Sequence, residues 1–235
     1  MLIENLNSAE RIHQIRLSNP LNQIPIDISI NNLNIDNKIV NSLFENIQDE
    51  FDNSLNRLNI QNFSSDISPT DHDYRSKLFK LFFLTILWGR GLGDNRWKPI
   101  FNDNEFPDIM EHIANSINIL LPNDNLSIRR AFQNMNNIKG LGISFISKFF
   151  YFFCKPRFSL LGRIDYPLIY DTKVSTALLK LSLDAEDWNH YNELWSINRS
   201  GKVRGYLEYL RLIDSLARYN NIAPDNYEYY LFNLD

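Results

Sequence analysis

Apolar residues recur at spacings of three and four along most of this chain, and that rhythm confines it to a helical fold. Val40, Leu43, Phe44, Ile47, Phe51 and Leu55 mark one face of a helix expected over 38–58. A second helix is expected over 74–88, starting near Ser68-Pro69-Thr70-Asp71, which offers caps and a first-turn proline. It is too apolar to be only a surface element. Further helices are read over 108–120, 127–135, 144–154, 172–181, 187–194, 203–219 and 225–231. Breaks fall at 53–73, 89–104, 122–126 and 155–167. Only 24–35 alternates, at Ile26, Ile28 and Ile30, which suits extended chain or one short strand. Strands and helices do not alternate, which argues against a nucleotide-binding α/β sheet. The expected architecture is all-α, with two helical lobes flanking a cleft.

At 235 residues the chain is long enough to bury a sizeable core. Cys154 is its one cysteine, so neither an internal disulfide nor a cysteine-ligated zinc or iron–sulfur site can form. His13, His72, His112 and His190 show no ligand spacing, and no metal or other cofactor is expected. The longest apolar runs, 81–88 and 149–154, fall far short of a membrane span. Residues 1–10 lack the basic and apolar regions of a signal peptide, so a cytoplasmic location is expected. A monomer is expected as well. The net charge of −4 is unevenly spread. Residues 1–72 carry 4 basic and 10 acidic side chains. Residues 125–173 carry 8 basic ones (Arg129, Arg130, Lys139, Lys148, Lys155, Arg157, Arg163, Lys173) against Asp165 and Asp171. A local basic surface can hold DNA on an acidic protein, because phosphate attraction acts within a screening length of about 8 Å. Taken alone, the excess is also what an ordinary charge fluctuation produces.

The run Asn137-Ile138-Lys139-Gly140-Leu141-Gly142-Ile143-Ser144 ends one helix, turns tightly and opens the next. Its glycines admit positive φ and close backbone approach, while Ile138 and Leu141 pack inward and hold the turn shut. The N–H groups that begin the second helix then face outward toward a phosphate oxygen, with Lys139 beside them. A plain corner between helices with a glycine cap has the same local sequence. Downstream, Tyr166-Pro167-Leu168-Ile169-Tyr170-Asp171 leads into a helix with Val174 at its third position. The hairpin, the helix after it and this Asp-x-x-Val start together resemble the helix-hairpin-helix DNA glycosylase superfamily. Residues 139–152 and 167–171 are similar to its bacterial branch with the 8-oxoguanine glycosylase fold. A looser likeness extends to 87–91 and 224–232, so that the resemblance covers about residues 70–235.

The expected division is an acidic helical region over 1–72, read from its charge, then a glycosylase core over 73–183, which the resemblance implies, and C-terminal helices over 184–235 packed with the N-terminal lobe. It implies an enzyme that flips a modified base out of double-stranded DNA and cuts its glycosidic bond, leaving an abasic site. The base is then an oxidised purine such as 8-oxoguanine, or a phage-type hypermodified base such as glucosylated hydroxymethylcytosine. DNA repair and anti-phage defence both fit. The alternatives are a non-catalytic helix-hairpin-helix DNA-binding protein of such a system, and a helical scaffold without DNA chemistry.

Glycosidic cleavage builds positive charge on the sugar, which a carboxylate stabilises. In the superfamily that carboxylate opens the helix and maps onto Asp171. The same residue is a plain helix cap on the other reading. Asp165 competes but lacks the helix context. Bifunctional members of the superfamily carry a lysine two residues after the second hairpin glycine, where this chain has Ser144. Lys148 lies one turn on, on the same face, in a wall of Phe145, Ile146, Phe149, Phe150 and Phe152. An apolar wall lowers a lysine pKa and makes the amine nucleophilic, although a snorkelling surface lysine has the same pattern. Lys139, Gly140, Leu141, Gly142 and Ser144 are the expected DNA contacts. Trp88, Phe149 and Tyr151 are the expected base-pocket aromatics, with Trp97, Trp188 and Trp195 as further candidates. The glycines of 89–93 form no P-loop and suit a turn lining the cleft. Arg199, Lys202 and Arg204 are read as backbone contacts or as a solvated face.

Overall fold

The computed structural model describes residues 2–29, 33, 35, 37–90, 97–122, 124–192 and 203–234. Its secondary structure is almost entirely helical. The chain opens with α1 (Leu2–Leu6), α2 (Ala9–Leu17) and a 3-10 turn at Pro20–Asn22. Then follow α3 (Lys38–Glu50), α4 (Arg57–Ser65), α5 (Tyr74–Arg90), α6 (Lys98–Asn102) and α7 (Phe106–Leu120). The second half holds α8 (Asn125–Met135), α9 (Ile143–Leu160), α10 (Thr172–Asp184), α11 (Val203–Asn220) and α12 (Pro224–Phe232). Two two-residue strands, β1 (Ile26–Asp27) and β2 (Ser54–Leu55), pair antiparallel. The expected all-α class is the observed one.

Helix α9 is the axis of the molecule. Every residue from Phe145 to Cys154 is buried, which is the mark of a helix apolar on all sides. Helices α4, α5 and α8 pack against it. Edge-to-face rings knit these layers, as in Phe82 on Phe149 and Phe132 on Phe150. The C-terminal α12 packs on α2, α10 and α11 and so returns to the N-terminal segment.

Several boundaries differ from those expected. The helix expected over 38–58 stops at Glu50, because Asp52 and Asn53 take φ of 47° and 56° and reverse the chain into β2. The break expected over 53–73 therefore contains α4, which a reciprocal Asn56–Asn59 capping box starts. The turn at Ser68–Asp71 precedes α5 rather than forming its first turn, since Asp71 accepts from the Ser68 N–H (3.0 Å) and binds Lys77. Helix α9 runs on to Leu160 through Pro156, where a loop was expected. Arg157 holds that last turn by donating to Phe153 O, Ser64 Oγ, Ser64 O and Ile67 O at 2.6–3.0 Å. The break at 89–104 contains α6. Of the expected 187–194 helix, 188–192 is helical and the remainder lies outside the described residues, as do Trp195, Arg199, Lys202 and the glycines at 91 and 93.

Candidate active site

The hairpin between α8 and α9 is built from local rules and one distant clasp. Gly140 has φ +81°, and a Cβ there would sit 3.2 Å from Pro99 Cβ and 3.3 Å from Ile100 N. Only glycine fits both demands. Gly142 has ordinary extended φ and serves as the N-cap of α9, so the two glycines do different work. Ile138 and Leu141 are buried, and Lys139 is exposed. Asn104 clasps the turn: its side chain accepts from Lys139 N (2.8 Å) and donates to Lys139 O (3.1 Å). Phe145 and Ile146 N–H donate to Gly142 O at 3.0 and 3.2 Å, and the N-cap supplies no side chain for the N–H groups of Ile143 and Ser144 ahead of them.

One turn into α9, Lys148 reaches back along the helix. Its Nζ donates to Ser144 Oγ at 2.9 Å and to Asp171 Oδ2 at 3.2 Å. The lysine side chain is 5% exposed and the aspartate 14%, so the pair is withdrawn from bulk water but still reachable. Gly89, in the last turn of α5, makes room for it, since a Cβ at that position would lie 3.0 Å from Lys148 Cδ. Lys148 is thus not a surface lysine reaching into solvent.

Asp171 is the N-cap of α10, its Oδ1 accepting from Val174 N at 3.2 Å. The extended segment before it is pinned at successive residues. Tyr206 donates to Leu168 O (2.9 Å), Tyr209 donates to Ile169 O (3.1 Å), and Tyr170 N donates to Ser147 Oγ (3.0 Å). Cap and anchors together fix the carboxylate.

The pair lines a cavity of about 320 Å³ whose other walls are Gln23, Ile26, Trp88, Gly89, Ile169, Glu228 and Phe232. That volume lies at the lower end of the roughly 300–1,000 Å³ usual for small-ligand sites. Trp88 is in the wall, whereas Phe149 and Tyr151 are not. Phe149 is fully buried between Phe82 and Phe150. Tyr151 is fully buried as well, accepting from Gln61 (2.9 Å) and donating to Asp225 (3.2 Å). Both belong to the core, because α9 has neighbours on every side. Trp97 is core too, and Trp188 is exposed.

Behind the cavity lies a buried polar cluster that sequence reasoning missed. Arg57 Nη2 contacts Glu228 Oε2 at 2.7 Å, with both side chains almost inaccessible. The guanidinium lies 5.6 Å from the Trp88 ring centre and 4.9 Å from that of Tyr151. Asp225 accepts from Tyr151, Tyr166 (2.9 Å) and Lys155 (2.9 Å). Burial pushes the Glu228 carboxyl up to about 7, with Asp171 and Asp225 adding to the rise and Arg57 opposing it. Burial pushes Asp225 up too, but Lys155, Arg57 and the Tyr166 hydroxyl hold it below the usual carboxylate range. Asn56 caps the helix that Arg57 opens, but nothing in the local sequence announces that Arg57 turns inward.

The basic excess of 125–173 is partly internal. Lys148, Lys155 and Arg157 hold buried partners, and Arg163 binds Asp165 at 2.7 Å. Arg129, Arg130, Lys139 and Lys173 remain exposed. Asp165, the competing acid, faces a different cavity of about 250 Å³ with Arg211 and Asp214, away from Lys148. Among the described residues no group of three or more His, Cys, Asp or Glu is arranged to hold a metal, and no helix is long and apolar enough to cross a membrane.

An all-helical fold, a glycine hairpin opening the central helix, and a lysine–aspartate pair at a cavity together define the helix-hairpin-helix glycosylase class. A family model described as "Putative 8-oxoguanine DNA glycosylase OGG-like protein" matches residues 36–232. The chain belongs to that family, whose members are of DNA glycosylase type and act on DNA. Neither the curated proteins nor the solved structures yield a match.

Proposed function

We propose that this protein everts a modified base from duplex DNA, seats it in the cavity at Trp88, and cleaves its glycosidic bond. The observation that carries this reading is the buried Lys148–Asp171 pair on the cavity wall. A structural ion pair has no need of a cavity, and a DNA-binding clip has no need of a buried pair. Asp171 stabilises positive charge developing on the deoxyribose. Lys148 Nζ attacks the sugar C1′, the C1′–N bond breaks, and the base leaves with the bonding electrons and takes up a proton. The ammonium must first lose a proton, for which Asp171 at 3.2 Å is the acceptor. The resulting imine opens the route to strand cleavage. Lys148 thus occupies the role that superfamily relatives give to a lysine at the position of Ser144, one turn earlier on the same face.

The hairpin supports the reading by offering backbone N–H groups and Lys139 to a phosphate near the everted nucleotide. Exposed Lys173 and Lys180, in a groove that shares Phe232 with the cavity, extend that basic surface. The family description points to 8-oxoguanine as the base.

The test is incubation with duplexes bearing single modified bases, 8-oxoguanine and glucosylated hydroxymethylcytosine among them, half of each sample then heated in alkali. Strand breaks without alkali, and borohydride trapping that disappears in Lys148→Ala, are the expected results. Asp171→Asn is expected to abolish excision while retaining DNA affinity. Breaks that require alkali, with no trapped adduct, would remove Lys148 from the nucleophile role and leave water in its place. Retention on DNA with no excision of any base would reduce the protein to a binding module.

A further inference from the structure

The mouth of the cavity carries an element with no part in the chemistry above. Gln23 and Ile26 line the wall, and Ile24 lies on the chain between them. Its side chain is 83% exposed, the most of any large apolar side chain among the described residues. A lone exposed apolar residue is ordinary on a protein surface. Position, rigidity and charge set this one apart. Its Cα lies one peptide, about 3.8 Å, from that of the wall residue Gln23, so Ile24 stands at the rim. The segment is held on both sides. The 3-10 turn at Pro20–Asn22 packs on α4 and on α12, the helix that brings Glu228 and Phe232 to the cavity. Beyond the loop, Ile26 pairs with Leu55 across β1 and β2. Pro25 between them fixes its own φ and confines Ile24 to extended backbone. Residues 1–72 carry 10 acidic and 4 basic side chains, yet 17–26 contain no charged residue. An uncharged stretch meets a phosphate backbone without the repulsion that its acidic surroundings meet. These residues also precede 36–232, the span that the family model matches, so the element is this chain's own.

We propose that Ile24 is a wedge that enters the base stack of duplex DNA and fills the gap left by an everted nucleotide. The inference rests on the glycosylase reading and adds the residue that opposes return of the base. Proteins that open or kink a duplex insert apolar side chains, isoleucine among them, between base steps, and the surface they bury offsets the lost stacking. A β-branched side chain on restricted backbone has little rotamer freedom left to lose on insertion. Gln23 on the cavity side and Ile24 on the rim then stand between the everted base and the stack it has left.

The probe is a duplex with a tetrahydrofuran abasic analogue beside 2-aminopurine, whose fluorescence rises when its stack is disturbed. It offers a gap and no base to excise, so it reads insertion without chemistry. Burying an isoleucine side chain is worth about 10- to 150-fold in an equilibrium. Ile24→Ala is expected to lose the fluorescence rise and to bind the abasic duplex about 10-fold more weakly. It is also expected to slow single-turnover excision of 8-oxoguanine from a paired duplex by about 10-fold, and from an unpaired bulge by less than about 3-fold. Ile24→Leu keeps the apolar volume and is expected to restore all of these. Leu160→Ala removes an equally exposed side chain (82%) at the far end of α9 and is expected to change none. The Tm of Ile24→Ala is expected to stay within about 2 °C of the wild type, since the side chain packs on little. If Ile24→Ala matches the wild type in fluorescence, abasic affinity and excision, the wedge assignment fails and the glycosylase reading stands. An equal loss on paired and bulged substrates overturns it too, because a wedge acts only where a stack has to be opened. A wild type with an Ile24-dependent fluorescence rise that excises no base overturns the glycosylase reading and leaves the insertion standing. A wild type that binds no duplex overturns both.

Discussion

Removing the charge of Asp171 without changing its shape tests whether the Lys148–Asp171 contact is an energetic unit or a chance approach. Asparagine caps helices as well as aspartate does, so Asp171→Asn keeps the hydrogen bond from Val174 N and isolates the ion pair. At 3.2 Å the gross attraction is about 5 kcal/mol at an effective dielectric of about 20. Desolvation of both groups offsets much of this in the intact pair, but the variant leaves an ammonium with 5% exposure facing a neutral amide. Breaking one partner of a buried pair costs about 3–5 kcal/mol. The 14% exposure of Asp171 places this case at about 3 kcal/mol. For a chain of this size that is a fall in Tm of about 6–12 °C. Lys148→Met costs less, about 1–2 kcal/mol, because Asp171 keeps its cap and the favourable helix start. The double variant Lys148→Met/Asp171→Asn buries no charge there and is expected to recover about 2 kcal/mol relative to the sum of the single losses. Thermal and urea unfolding of the four proteins measure this coupling directly. If the single losses add to within about 0.5 kcal/mol, the pair carries no interaction energy, and the argument that the cavity holds a desolvated charge pair fails.

Three further outcomes follow from the packing. Gly89→Ala places a methyl 3.0 Å from Lys148 Cδ, so the lysine stem has to shift; the expected result is at least about a 10-fold loss in excision rate with a Tm change under about 3 °C. Gly140→Ala meets both a positive φ and the backbone of Ile100, and is expected to cost about 2 kcal/mol and to weaken duplex binding, read by melting and by fluorescence anisotropy. Glu228 has a folded-state pKa near 7 against an ordinary 4.5, so the folded protein holds its proton over a range where the unfolded chain has released it. Its contribution to stability is then lost as pH rises from about 4.5 through 7, with Arg57, Asp171 and Asp225 as the charged groups around it. Tm profiles of wild type and Glu228→Gln should therefore converge or cross over that interval and run parallel above about pH 8; parallel profiles throughout contradict the assignment.

The parts of this structure that were legible in the sequence are those fixed by short-range chemistry. Asp171 announces itself because a capping residue, the third-position N–H and an apolar approach all lie within a few residues. Lys148 was readable as a candidate because helical geometry places it over Ser144, though its contact with Asp171, 23 residues away, was not. Residues 38–58 misled because the apolar rhythm continues through Phe51 and Leu55 while the backbone reverses at Asp52 and Asn53, two residue types that tolerate positive φ. Trp88 lines the cavity but Phe149 and Tyr151 do not, for a related reason. A helix buried on every face has no periodic signal that marks which side meets a cavity, so Phe149 and Tyr151 look no different from a wall residue. Arg57 was invisible because its partner lies 171 residues away, and a lone arginine near a helix start reads as solvated.

Helix α9 explains why the site tolerates so little freedom. It begins at the hairpin and carries Lys148 six residues after Gly142, so the rise from helix start to that lysine is about 9 Å and is set by the backbone alone. No loop intervenes that could absorb an error. A shift of the hairpin therefore moves Lys148 by the same amount, and the clasps on the hairpin have consequences for the chemistry as well as for stability. Asn104 holds Lys139 on both its backbone groups, and Pro99 and Ile100 close over Gly140. At the far end, Arg157 ties the same helix to α4, the helix that also carries Arg57. Under the proposed function, the grip on the phosphate and the amine that attacks the sugar both refer to one rigid rod. A displacement of about 1 Å can cost 10²-fold in rate, so such a rod is the simplest way to keep the hairpin and Lys148 in register.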